Sequence, residues 1–177
     1  MQLIEADAER VRRLILVDSP GPIYTEDDHA DMLDRLGLDD ISDLIIPNGP
    51  EDVKVLIGLA FHRPPPIPAF VTRDVFRNLF IRFKEEKAQL LETLWEDKER
   101  VARDLWNIDH PTLVVWGQHD VLFPVAIGQR LVDAIGSNAE LAVVPRTNHA
   151  PNLERPRHFN KLVQAFLKSS NTALNAA

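Results

Sequence analysis

Asp120 and His149 are the two residues of this chain whose types and setting could do chemistry together. Asp120 lies in Trp116-Gly117-Gln118-His119-Asp120-Val121-Leu122-Phe123-Pro124, just past the apolar run Thr112–Gly117. His149 lies in Arg146-Thr147-Asn148-His149-Ala150-Pro151, just past a second run, Glu140–Pro145. A carboxylate that accepts the Nδ1 proton of an imidazole fixes its tautomer and supports the imidazolium when the other nitrogen takes a proton. That is half of a device for activating a hydroxyl nucleophile. Taken singly, the aspartate reads as a loop or helix-capping residue and the histidine as a satisfied structural one. Their joint placement favours the acid–base reading, because the carboxyl ends of adjacent parallel strands line one crevice. His119 precedes Asp120 and reads as its solvent-side neighbour. His29, His62 and His158 fall on predicted helices or linkers and show no metal-ligand spacing.

Three elements must be strands for this to work. Arg13–Asp18 (RLILVD), Thr112–Gly117 (TLVVWG) and Glu140–Pro145 (ELAVVP) are short, rich in β-branched residues and bounded by breakers. Near-continuous apolarity predicts strands buried on both faces. Between the second and third, Val125, Ile127, Leu131 and Ile135 recur at helical spacing and stop at Gly136, a suitable C-cap. Beyond the third, Phe159, Leu162, Val163, Phe166 and Leu167 do the same. Strand and helix alternating in this way predict a parallel sheet covered by helices, with right-handed crossovers.

Ser19 to His110 is different material. Thr25 with Asp28 three residues on predicts a helix start, GPEDVKVLIGLAF a second helix, and Asp74–Asn107 two or more amphipathic helices. The run Arg63–Pro68 (RPPPIP) reads as a stiff internal linker rather than a partner's polyproline ligand. Phe70, Phe76, Phe80 and Phe83 would suit an apolar ligand, but at helical spacing they read first as core. Residues 19–108 thus form a helical insertion, or cap, in one truncated domain whose core strands and helices are 1–18 and 109–170.

Composition excludes several function classes. The 177 residues are 45% hydrophobic and 27% charged, suiting one globular domain, and the formal charge is −7. An acidic chain lacks the basic patches that bind nucleic acid or anionic membranes. Cysteine is absent, which removes disulfides, thiolate metal sites and a cysteine nucleophile. No signal-peptide pattern or apolar run of spanning length occurs, so a cytoplasmic protein without a stable membrane anchor is expected.

From Glu9 to Leu167 the chain resembles the C-terminal part of α/β-hydrolase fold enzymes. The resemblance is carried by HPTLVVWGQHDVLFP, by VVPRTNHAPNLERPRHFNKLVQAFL and by ERVRRLILVDSPGP, which is similar to that fold's sixth strand and the start of its cap. EDVKVLIGLAF before RPPPIP is most similar to bacterial lipases and monoacylglycerol lipase-like esterases. The resemblance implies a partial α/β-hydrolase fold with about three parallel strands, flanking helices and a cap. It also implies Asp120 as triad acid, His149 as triad base, Trp116 and Gly117 as shapers of the turn presenting Asp120, and Glu154 and Pro156 as anchors behind the histidine loop. Asn148 departs from the family's usual glycine before the histidine.

The larger departure is the nucleophile. The family places a serine in Gly-x-Ser-x-Gly after its fifth strand. None of Ser19, Ser42, Ser137, Ser169 or Ser170 is flanked that way. Ser19 follows the first strand but sits before a Pro-Gly-Pro turn. The expectation is therefore a portion of a serine ester hydrolase, inactive alone, acting on a small acyl ester once completed and needing no metal or organic cofactor. An exposed edge at Arg13–Asp18 points to a homodimer or a partner chain covering it. The alternatives are a non-catalytic interaction or scaffold protein, and one half of a split hydrolase.

Overall fold

The strand Thr112–Gly117 (β2) is the centre of the molecule, with all six of its residues buried. Its alternation serves two cores at once, as the two-residue period of a strand requires. Val114 and Trp116 point to one side, where they pack with Tyr24, Ile108, Ile127 and Leu131. Leu113 and Val115 point to the other, against Val144 and Phe166. Leu14–Val17 (β1) and Ala139–Val144 (β3) pair with β2 on either side, both parallel to it, giving the order β1-β2-β3. The computed structural model describes residues 10–96 and 108–169.

Helices cover both faces of this sheet. Counting in chain order, the helical block between β1 and β2 contains α1 (Glu26–Leu36), α2 (Pro50–Ala60), α3 (Ala69–Val75) and α4 (Lys84–Glu96), with a π-helical stretch at Phe76–Ile81. Beyond β2 come α5 (Val125–Ile135) and, after β3, α6 (Pro156–Lys168). Helix α5 supplies Ile127 and Leu131 to the first core, and α6 supplies Phe166 to the second. The start of α1 is a reciprocal capping box. Thr25 Oγ1 accepts from Asp28 N (3.1 Å) while Asp28 Oδ2 accepts from Thr25 N (2.8 Å). The predicted helix start is present, and so is the stop of α5 at Gly136.

Two expectations need correcting. Only β2 is buried on both faces. β1 is partly exposed throughout and β3 is fully buried only at Val144, each being an edge strand with a neighbour on one side only. The phenylalanines of the helical block are not core. Phe70 is 69% exposed and Phe83 44%, while Phe76 and Phe80 are only partly buried, so helical spacing here marks an apolar face at the surface. The predicted helices over Asp74–Asn107 are present up to Glu96, while Val101 and Leu105 lie outside the described residues.

Helix α5 lies directly on the indole of Trp116. A Cβ at Gly128 would come within 2.7 Å of that ring, and Trp116 is held by donation from Nε1 to the Phe123 carbonyl (2.7 Å). Gly128→Ala should therefore lose about 1–2 kcal/mol in urea unfolding despite alanine's better helix propensity. An unchanged midpoint would mean that the helix slides without cost.

Candidate active site

The carboxyl ends of β1, β2 and β3 each deliver one titratable side chain to the same place. After β2 the chain turns tightly. Asp120 N donates to the Gly117 carbonyl (3.2 Å), and Asp120 Oδ1 accepts from the backbone N–H groups of Leu122 and Phe123, both at 2.9 Å. This is the capping role expected of a loop aspartate, and one oxygen suffices for it. The other, Oδ2, lies 2.9 Å from His149 Nδ1. The Asp120 side chain is fully buried while that of His149 is 30% exposed, so the pair runs from the interior outward.

The two loops are stitched together by backbone. Gln118 N donates to the Val144 carbonyl (3.0 Å) and His119 N to Thr147 O (2.8 Å). Gly117 is obligatory here, because a Cβ would sit 1.9 Å from the Asn148 carbonyl oxygen. Asn148, which stands where a glycine was expected, needs no left-handed backbone. Its Oδ1 accepts from Val121 N (2.9 Å), adding another stitch between the same loops. Phe123 meets His149 edge-on, with centroids 5.4 Å apart, and Tyr24 backs Phe123 in the same fashion at 5.3 Å. An apolar wall thus screens the imidazole.

Burial pulls the pKa of His149 down, but the hydrogen bond it makes to Asp120 and the negative charge of Asp120 overcome it, and the net shift is upward. A raised pKa lets the ring take up and hold a proton more readily near neutral pH. Nδ1 is committed to Asp120, which leaves Nε2 for proton exchange.

Asp18 was not anticipated. It ends β1 as Asp120 follows β2, so the reasoning that selected Asp120 would have selected it too. It is 4% exposed, and its Oδ1 accepts from Gly117 N (2.7 Å). Burial first, then the charge of Asp120, push its pKa up to about 8, against the lowering effects of the Gly117 hydrogen bond and His149. One ligand-type atom from each of Asp18, Asp120 and His149 lies within 4.8 Å of the others, the set among the described residues that could hold a metal. Asp120 and His149 are already spent on one another and on backbone, which fits an acid–base pair better than a coordination shell.

Other expected residues fall elsewhere. His119 is exposed and stacks on His62, with centroids 4.4 Å apart. Ser19 is exposed beside Asp18. Glu154 does more than anchor a helix. Its Oε1 accepts from Asn148 N (2.6 Å) and its Oε2 from His62 N (2.8 Å), joining the histidine loop to the linker after α2. Pro156 occupies the first position of α6, where its missing N–H costs nothing.

No protein-family model matches this chain. Monoacylglycerol lipase ABHD6 of Mus musculus is 26% identical over 141 residues, covering 74% of this chain. A meta-cleavage product hydrolase (CumD) superposes on 96% of the chain with a TM-score of 0.72 at 20% identity, and a putative lipase of Acinetobacter baumannii AYE on 93% with 0.67 at 23%. The chain is a relative of the α/β-hydrolase superfamily. It spans only part of such proteins, namely 39% of the lipase's length and 60% and 55% of the two solved chains. The three parallel strands and flanking helices are thus a partial α/β-hydrolase fold. No helix among the described residues is long and apolar enough to cross a membrane.

Proposed function

We propose that this chain is the acid–base portion of a serine ester hydrolase, with His149 as base, Asp120 as its orienting acid and residues 19–108 as the cap over the substrate. The observation that carries this reading is the 2.9 Å contact between His149 Nδ1 and the buried Asp120 carboxylate at the ends of neighbouring parallel strands. In the completed enzyme a serine hydroxyl attacks the ester carbonyl while His149 Nε2 takes its proton. His149 then returns that proton to the leaving alcohol, and Asp120 holds the ring and supports its positive charge throughout. The lipase and esterase names among the relatives support an acyl ester as substrate. So do the exposed apolar side chains of Phe70 and Phe83.

The nucleophile is supplied from outside these 177 residues, since no serine here lies in a Gly-x-Ser-x-Gly elbow. A partner segment carrying that elbow would also cover the open edge of β1. Fluorophosphonate labelling of the purified chain, beside Ser19→Ala and read as covalent mass, tests this. The expected result is no adduct with either protein. Joining the chain to a segment that bears the elbow should then give ester turnover, lost in His149→Ala. An adduct on the chain alone that disappears in Ser19→Ala would overturn the reading and make Ser19 the nucleophile.

A further inference from the structure

We propose that Asp18 is a positioning residue for the Asp120–His149 pair, a neutral carboxylic acid whose Oδ2 proton is donated to the Asp120 carboxylate. The geometry leaves that oxygen with no other task. Asp18 is more than nine-tenths buried, its Oδ1 is taken by Gly117 N–H, and its Oδ2 has no hydrogen-bond partner. Asp120 is its neighbour, with a carboxylate oxygen of each within 4.8 Å of the other. Two carboxylates cannot face each other ionised in a buried site, and a shared proton resolves the conflict.

Hydrogen bonding decides which carboxyl carries the proton. Asp120 receives three donors, two backbone N–H groups on Oδ1 and His149 Nδ1–H on Oδ2, which leaves it no place for a proton of its own in this network. Asp18 receives one donor. The proton therefore rests on Asp18. Its backbone agrees with a held position, because φ is +42°, a region that aspartate and asparagine tolerate and most residues avoid. The charged groups acting on Asp18 are Asp120 and His149, and those acting on His149 are Asp120 and Asp18. The three form one closed set, with one ligand-type atom of each within 4.8 Å of the others.

This role rests on reading Asp120 and His149 as an acid–base pair, and its test reads protons rather than turnover. His149 ring resonances are followed by NMR from pH 5 to 9 in the full chain, in Asp18→Asn and in Asp120→Asn. The Asp18 carboxyl carbon is followed in the unmodified chain. A neutral donor is replaced faithfully by an amide, so Asp18→Asn should move the His149 midpoint by less than about half a unit, and the Asp18 carboxyl should stay protonated through neutral pH. A fall of about one unit or more in Asp18→Asn would show that a negative charge had been removed, and would overturn the proposal. So would an Asp18 carboxyl that titrates in the ordinary aspartate range. Asp120→Asn should lower the His149 midpoint by about a unit or more. If it does not, the pair itself fails, and that failure is distinct from the failure of Asp18.

Discussion

Gly117→Ala is expected to cost at least about 3 kcal/mol of stability and to pull His149 away from Asp120. The added Cβ would meet the Asn148 carbonyl oxygen at 1.9 Å and its carbon at 2.8 Å. Both are backbone atoms, so no side chain can swing aside. Either β2 shifts out of register with its neighbours or the loop carrying His149 lifts. The first breaks pairing on both sides of the central strand. The second stretches the 2.9 Å contact and the stitches from Gln118, His119 and Asn148. Urea unfolding gives the stability, and His149 NMR gives the contact, through a midpoint that falls back toward that of an isolated histidine. A variant with unchanged stability and an unchanged His149 midpoint would show that the two loops do not approach as closely as 1.9 Å implies.

Asp18→Asn is expected to stabilise the protein, increasingly so toward alkaline pH. The sign follows from proton counts. The Asp18 carboxyl has a pKa of about 8 in the folded chain, against 3.8 for an ordinary aspartate. Between those values the folded state holds a proton that the unfolded state has released, so stability falls as pH climbs from about 4 to about 8. Asparagine has no such proton and tolerates the same left-handed backbone. His149, raised in the folded state, also contributes stability that is lost as pH rises through its folded pKa, but both proteins share that contribution. The difference between them therefore isolates Asp18. Urea unfolding at pH 5 and pH 8 should show the variant gaining a few kcal/mol over the parent between the two conditions. Parallel curves would mean that Asp18 ionises as any surface aspartate does.

Much of the fold was legible because its signals are local and cheap to read. The strands at Leu14–Val17 and Thr112–Gly117 fall within the expected apolar runs, and Ala139–Val144 lies one residue from its run. The capping box at Thr25 and Asp28 and the stop at Gly136 fall where expected. What the residues could not convey was which neighbours are present. A Val or Ile run reads the same at an edge as in the middle of a sheet, and only pairing separates β2 from β1. The same limit governs Phe70 and Phe83, whose spacing marks an apolar face and says nothing of what covers it.

The site was half legible. Asp120 and His149 stood out because breakers and order placed them at strand ends, and the structure sets them 2.9 Å apart. Asp18 stood at a strand end as well, yet a carboxylate is noticed when a base is sought for it, and its neighbour here is another acid. Asn148 was judged as a substitute for glycine, whereas its amide oxygen is a partner for Val121 N. Side-chain bonds that cross between loops leave no periodic trace in a sequence.

The carboxylate of Glu154 also has a mechanical consequence. Its two oxygens accept from Asn148 on the histidine loop and from His62 and Arg63 on the proline-rich linker, two segments about ninety positions apart in the chain. One side chain thus acts as a hinge pin between the linker and the histidine loop. A rearrangement that carries the linker away must either release Asn148 or drag it along, so the position of the linker and the posture of His149 are read from the same rivet.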